Sequence, residues 1–287
     1  MTKSFAPGNI SCIFKIYNHK NPRWMGSYGL GFTVNEGVIV TAEFSDKNII
    51  YFNNKKINFP AVQYVVNEMC KKLRFERNFL IKCNIKIDIK SNLPLGCGFG
   101  LSGASALATA YALNSLLKLK KSNKKLAIIA HIAEVKNKTG LGDVVNQYYG
   151  GFCMKLKPSS HFIIKKLPIN NADIYCKYFS GLNTKSVITN SKLKKTINKS
   201  ATNALNKIKQ LIKNNKIINF EDIIKISKEF AVGSGLLQDK KTMLEIEKIE
   251  KSNGNASMIM LGNAVFSDKA FKGAIKLKIT NKGAHLI

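Results

Sequence analysis

Pro94-Leu95-Gly96-Cys97-Gly98-Phe99-Gly100-Leu101-Ser102-Gly103-Ala104 is the stretch that decides how this chain is read. Gly96, Gly98, Gly100 and Gly103 fall within eight residues. Glycine lets backbone approach a ligand closely and leaves N–H groups free to point at it. The residues that follow, Ala104–Leu119, are small and apolar nearly all round, with Ala104, Ala106, Ala108, Ala110 and Ala112. That composition predicts a buried helix closely approached by its neighbours. A helix N-terminus directly behind a glycine-rich loop carries partial positive charge, so the pair forms a cradle for phosphates.

Gly98–Gly103 also fits G-x-G-x-x-G, the dinucleotide-binding fingerprint. The preceding run, Ile85-Lys-Ile87-Asp-Ile89-Lys90, opposes that reading. Its strict period of two predicts a strand with one buried and one wet face, as in an antiparallel sheet, whereas a Rossmann first strand is apolar on both faces. The acidic residue expected about 20 positions on is absent, because Lys118–Lys125 is basic. No Walker A sequence occurs either.

Upstream, Ile10–Tyr17, Tyr28–Val34, Gly37–Glu43 and Asn48–Phe52 read as strands, and Pro60 opens a helical pattern to about Arg77, with Val62, Val65, Val66 and Met69 on one face. The predicted strand of the period-two run extends over Leu80–Lys90. Downstream, helices are expected over Leu126–Lys136 and Asp143–Tyr149, and strands over Phe152–Leu156, Phe162–Lys166 and Ile174–Phe179. Helices at about Lys192–Lys213, Phe220–Val232 and Lys240–Lys251 follow, then strands at Ala256–Met260, Ala264–Ser267 and Ala274–Ile279. Strands and helices in separate runs give an α+β class. The length suits two cores, and the boundary is placed as 1–156 and 157–287.

No apolar run reaches the roughly 20 residues a membrane helix needs, and the N-terminus has no cleavage pattern, which reads as a mature cytoplasmic chain. Cys12, Cys70, Cys83, Cys97, Cys153 and Cys176 are scattered, without Cys-x-x-Cys pairs, and are expected as reduced thiols. The formal charge of +29 suits a nucleic-acid partner, but the basic residues are nearly all Lys, with Arg only at Arg23, Arg74 and Arg77. Arg is the preferred reader of phosphates and base edges, so a solvated Lys-rich surface is the better account and no nucleic acid is expected.

The loop resembles the phosphate-binding motif of the GHMP kinases, broadly Pro-x-Gly-x-Gly-Leu-Gly-Ser-Ser-Ala. Two more blocks follow that family's order: Ala6-Pro7-Gly8, and Glu134 with Gly140-Leu-Gly-Asp143 and Gly150-Gly151. Ala130-His131-Ile-Ala-Glu134-Val and Thr139-Gly-Leu-Gly-Asp143-Val sharpen the match to the archaeal pantoate kinases within it. Leu101 and Gly103 depart from the general loop, Asn9 stands where His is expected, and Ser11-Cys12 replaces Thr-Gly.

The resemblance implies a ribosomal-protein-like N-terminal domain, a ferredoxin-like C-terminal domain, and ATP and Mg²⁺ as cofactors. Residues 94, 96 and 98–104 would hold the ATP phosphates, with Ser102 and Glu134 on the metal and Asp143 catalytic. Ser102 is also expected to cap the helix. His131, three residues before Glu134 on the same helix face, and Ser27, Lys155 and Thr184 are the substrate candidates. The implied reaction is phosphorylation of pantoate to 4-phosphopantoate, with homoserine or mevalonate derivatives as alternative acceptors and a basic nucleic-acid-binding protein as the reading from another class. A homodimer is left open.

Overall fold

The period-two run does form a half-buried strand: Ile85, Ile87 and Ile89 point into the core and Lys86, Asp88 and Lys90 away from it. A computed structural model describes residues 1–77, 83–169, 172–182, 184–213 and 219–287. The chain begins with two long strands, β1 (Thr2–Tyr17) and β2 (Gly26–Phe44), then β3 (Ile49–Phe52) and β4 (Lys55–Lys56). Helix α1 (Pro60–Arg77) leads to β5 (Ile85–Lys90), then α2 (Leu101–Leu116), α3 (Asn123–Asn137) and α4 (Asp143–Tyr149). Strands β6 (Phe152–Lys155), β7 (Ile164–Leu167) and β8 (Asp173–Gly181) follow. Next come α5 (Thr184–Thr189), α6 (Ser191–Lys213), α7 (Phe220–Gly233) and α8 (Lys240–Lys251). The chain finishes with β9 (Ala256–Met258), β10 (Gly262–Ser267), β11 (Ile275–Lys278) and β12 (His285–Leu286).

The first sheet runs β12-β1-β2-β5-β3-β4, with β6 on β2 and β7 on β6. Its ladders are antiparallel except β3 with β5, which α1 connects. The second sheet, β11-β8-β10-β9, is antiparallel throughout. The first sheet therefore continues past residue 156 through β7, and the sheets change over between Leu167 and Asp173. Phe32, Phe152, Phe220 and Phe266 interlock at the junction of the sheets, with ring centroids 5.0 to 6.4 Å apart.

Some expectations change. Tyr28–Val34 and Gly37–Glu43 are one strand, because Asn35 and Glu36 between them bulge out of β2 opposite Pro7/Gly8 without breaking the ladder. Ala6-Pro7-Gly8 accordingly lies inside a strand. Leu80–Lys82 of the predicted strand lies outside the described residues. The buried helix begins at Leu101, with Gly100 as its N-cap in the left-handed region (φ +63), so Ser102 is inside the first turn and does not cap it. Cys70 and Cys83 are joined in a disulfide, because the α1 backbone at Cys70 passes 5.8 Å from Cys83 just before β5. The expectation of reduced thiols holds for the other four, which are buried and free.

Among the described residues no helix is long and apolar enough to cross a membrane.

Candidate active site

Three consecutive helices deliver the polar side chains of one cleft. Helix α2 starts at the phosphate loop and carries Ser102 in its first turn. Helix α3 packs beside α2 and carries Glu134, and α4 opens with Asp143, its first-turn acid. The cleft has a volume of about 330 Å³ and is lined by Gly96, Gly98, Gly100, Leu101 and Ser102 on one side. Thr139–Asp143, Ser27, Lys155 and Thr184 form the other. Phe14, Phe59, Met260 and Ile188 supply apolar wall.

The loop is held from both halves of the chain. Gly98, at φ +87, has Ile259 Cγ2 within 2.7 Å and Met260 O at 3.0 Å of where a Cβ would sit, so only glycine fits. Gly262 at the start of β10 packs directly on Cys97 O, and Leu182 N–H donates to Gly96 O at 3.2 Å.

Glu134 is buried. Its Oε1 accepts from Ser102 Oγ and Thr139 Oγ1, both at 2.6 Å, while Oε2 is buried with no partner. Burial foremost, with Asp143 nearby, pushes its carboxyl up to about 7 against those two hydrogen bonds. Oε2 points to Gly140, and the space above Gly140 also lies 3.4 Å from Asp143 Oδ2. An unpartnered carboxylate oxygen beside a hydroxyl and a glycine-lined space fits a hard divalent cation. Among the described residues no group of three His, Cys, Asp or Glu could enclose an ion alone, so phosphate and water oxygens must complete any coordination.

Asp143 is half-buried at the cleft, and desolvation raises its carboxyl, opposed by Lys155 and by hydrogen bonds from Asn9 and Ser11. Asn9 Nδ2 at 2.6 Å and Ser11 Oγ at 3.2 Å both donate to Oδ1. Lys155, at the end of β6, is buried against Asp143, and desolvation lowers its ammonium despite that partner. Its Nζ is 3.4 Å from Gly142 O, and Ser27 closes on the same Gly142.

The structure thus brings Ser102, Glu134, Asp143, Lys155, Ser27 and Thr184 to one place. Phe99, Gly103 and Ala104 are buried under the loop rather than facing the cleft, and Pro94 stands outside the lining. His131 is a correction. It does not line the cleft; its Nε2 bonds Met25 O at 2.9 Å and its ring meets Phe162 edge-on. Sharing a helix face with Glu134 did not bring it there, because that face is broad enough to pack α3 against the β1–β2 turn as well. Asn9, Ser11 and Thr139 had no role assigned from sequence. Their signal was available: Asn9 and Ser11 share one face of a strand, and Thr139 opens the Gly140–Asp143 loop.

Residues 62–151 match the family model for the GHMP kinases N-terminal domain. The chain is 38% identical to the pantoate kinase of Methanocaldococcus jannaschii, over 91% of this chain and 90% of that protein. It is 32% identical to the pantoate kinase of Methanospirillum hungatei, over 92% and 86%. Among solved structures, a phosphotransferase related to the CoA biosynthesis pathway superposes with a TM-score of 0.81 at 23% identity, covering 99% of this chain and 97% of that one. The two-sheet α+β arrangement is therefore the GHMP kinase fold, and the chain belongs to the pantoate kinase family of the GHMP kinases.

Proposed function

We propose that this chain transfers the γ-phosphoryl group of ATP to the hydroxyl of pantoate, forming 4-phosphopantoate and ADP, a step towards coenzyme A in the cytoplasm. The observation that carries the reading is the convergence of Ser102, Glu134 and Asp143, from three helices, beneath one phosphate loop. Loop N–H groups from Gly98 to Gly103 and the α2 N-terminus hold the phosphates. Glu134 Oε2 and Ser102 Oγ are the protein ligands offered to Mg²⁺, which when bound neutralises phosphate charge. The substrate hydroxyl oxygen bonds to the γ-phosphorus as the bond to the β-phosphate oxygen breaks. The hydroxyl proton passes to Asp143 Oδ2, the oxygen that Asn9 and Ser11 leave free. Lys155 and Ser27 receive the substrate carboxylate, with Thr184 in the same cleft lining. The nucleotide is assigned to the N-terminal unit, drawn at 1–156 from the sequence and extended by β7 in the sheet, with the rest of the chain as the C-terminal unit.

Purified protein with Mg²⁺–ATP is assayed for ADP release on pantoate, homoserine and mevalonate. Turnover with pantoate that is lost in Asp143→Ala is expected, and no ADP with pantoate overturns the reading. Lys155→Met should raise KM for pantoate by about tenfold or more, the cost of removing a charged hydrogen-bond partner.

A further inference from the structure

Asn9, Asn146 and Gln147 are fully buried amides packed beneath the phosphate loop, and the reaction as described uses none of them. Burying an amide costs free energy unless its hydrogen bonds are replaced, so three together need a reason. Their bonds connect two parts of the site that must stay in register. Asn9 N–H donates to Phe99 O at 2.9 Å, in the middle of the loop. The Asn9 side chain donates through Nδ2 to Asp143 Oδ1 at 2.6 Å. Its Oδ1 accepts from Asn146 Nδ2 at 2.9 Å, which fixes the amide so that the donor faces Asp143. Gln147, one turn beyond Asp143 on α4, donates from Nε2 to Gly100 O at 2.8 Å. A Cβ at Gly100 would lie 3.1 Å from Gln147 Nε2, 3.2 Å from Asn9 Cβ and 3.3 Å from Asp143 Cβ. Loop, strand β1 and helix α4 therefore meet at one point with no slack.

We propose that Asn9 is a positioning residue, which holds the carboxylate of Asp143 in register with the phosphate loop by bonding both at once. The inference rests on the reading of Asp143 as the catalytic carboxylate. Asn9 touches neither phosphate nor acceptor; it sets the distance between the group that aligns the hydroxyl and the amides that align the phosphoryl. Ser11 Oγ, at 3.2 Å from the same Oδ1 and from Asn9 Nδ2, is a second and longer tie. With Oδ1 occupied, Oδ2 is the oxygen directed to the Gly140 side of the cleft, where Glu134 Oε2 also points. Phosphoryl transfer depends on in-line placement more than on any single bond, so loss of this register falls on turnover rather than on nucleotide capture.

The test compares Asn9→Asp and Asn9→Ala with the wild type. Asn9→Asp keeps the side-chain size, the backbone bond to Phe99 and the acceptor for Asn146, and removes the donor to Asp143. Turnover is followed by ADP release on the acceptor used by the wild type. Nucleotide affinity is measured without turnover, by displacement of a fluorescent ATP analogue, and folding by the melting temperature. Both variants are expected to lose about 100-fold in kcat while the nucleotide dissociation constant moves by less than about threefold. Wild-type kcat in either folded variant overturns the proposal. So does a parallel loss of nucleotide affinity, which would mark a general support of the loop. Asp143→Asn is run alongside. If it keeps wild-type turnover, the catalytic reading itself fails; if it is inactive while Asn9→Asp is fully active, the positioning role alone fails.

Discussion

Ser102, on α2, donates its hydroxyl to Glu134 Oε1, on α3, across 2.6 Å, and so ties the helix that begins at the phosphate loop to the buried carboxylate. The remaining oxygen of Glu134 has no partner. Glu134→Gln is expected to lower kcat by about 100-fold or more, the scale of losing one preorganised electrostatic group. Binding of Mn²⁺ as a probe, followed by electron paramagnetic resonance in the presence of ATP, should weaken in the same variant. With the wild-type carboxyl raised to about 7, ion binding should release a proton and weaken below that pH. Retention of both turnover and Mn²⁺ affinity in Glu134→Gln would remove the metal role.

Gly140 faces the space that Glu134 Oε2 and Asp143 Oδ2 share, and a methyl there would collide with Glu134 Oε2. Its φ lies outside the positive region, so Gly140→Ala carries the collision without backbone strain. The variant should fold, with a melting temperature near that of the wild type, and lose most of its activity. An active Gly140→Ala protein would place the reacting groups elsewhere.

His131 is buried and neutral, with burial as the main cause and Lys155 adding to it, and its folded value falls to about 4 from 6.5. Between those values the unfolded chain binds the extra proton and the folded one does not, so stability rises with pH across the window and is lost as pH falls through it. Glu134 acts in the opposite sense: its raised carboxyl stays protonated in the folded state, and stability from that source declines as pH rises from 4.5 to about 7. Thermal melts of His131→Gln and wild type from pH 6.5 down to 4 isolate the imidazole. The variant should show the shallower decline, and identical slopes would contradict the assignment.

The Cys70–Cys83 disulfide closes a loop over a sequence separation of 13. Cross-links of that span contribute about 3 kcal/mol, largely by restricting the unfolded chain. Denatured protein should present four reactive thiols without reductant and six with it. Cys83→Ser should melt at a lower temperature than the oxidised wild type and match the reduced one. Six thiols in the unreduced protein would dismiss the link.

Much of this architecture was legible because a few segments announce their surroundings. The isoleucines of β5 alternate, and the alanines of α2 leave it no wet face, so strand, loop and helix follow in order. The bounds of α4 and α8 agree with expectation, since Asp143 and Asp239 mark helix starts and Gly150 and Ser252 mark ends. Helix α5 and strands β4 and β12 were missed: the helix spans six residues and each strand two, too short for a period to show. The site was harder to read where contacts join distant positions. Asn9 and Asp143 are 134 residues apart, and only the fold turns a departure from the family pattern into a hydrogen bond. The cysteine pair and the orientation of His131 failed for the same reason, since neither spacing nor helix face specifies which neighbour a side chain meets.

The phosphate loop rests on Gly262 and the β9–β10 turn, more than 150 residues later in the chain. A nascent polypeptide that has emerged only as far as α4 has every acidic side chain of the cleft but lacks the floor that gives Gly98 its conformation. Nucleotide could not act as a chaperone for such an intermediate on the ribosome. Competence to bind should instead appear abruptly, once the β9–β10 turn has been synthesised and has docked.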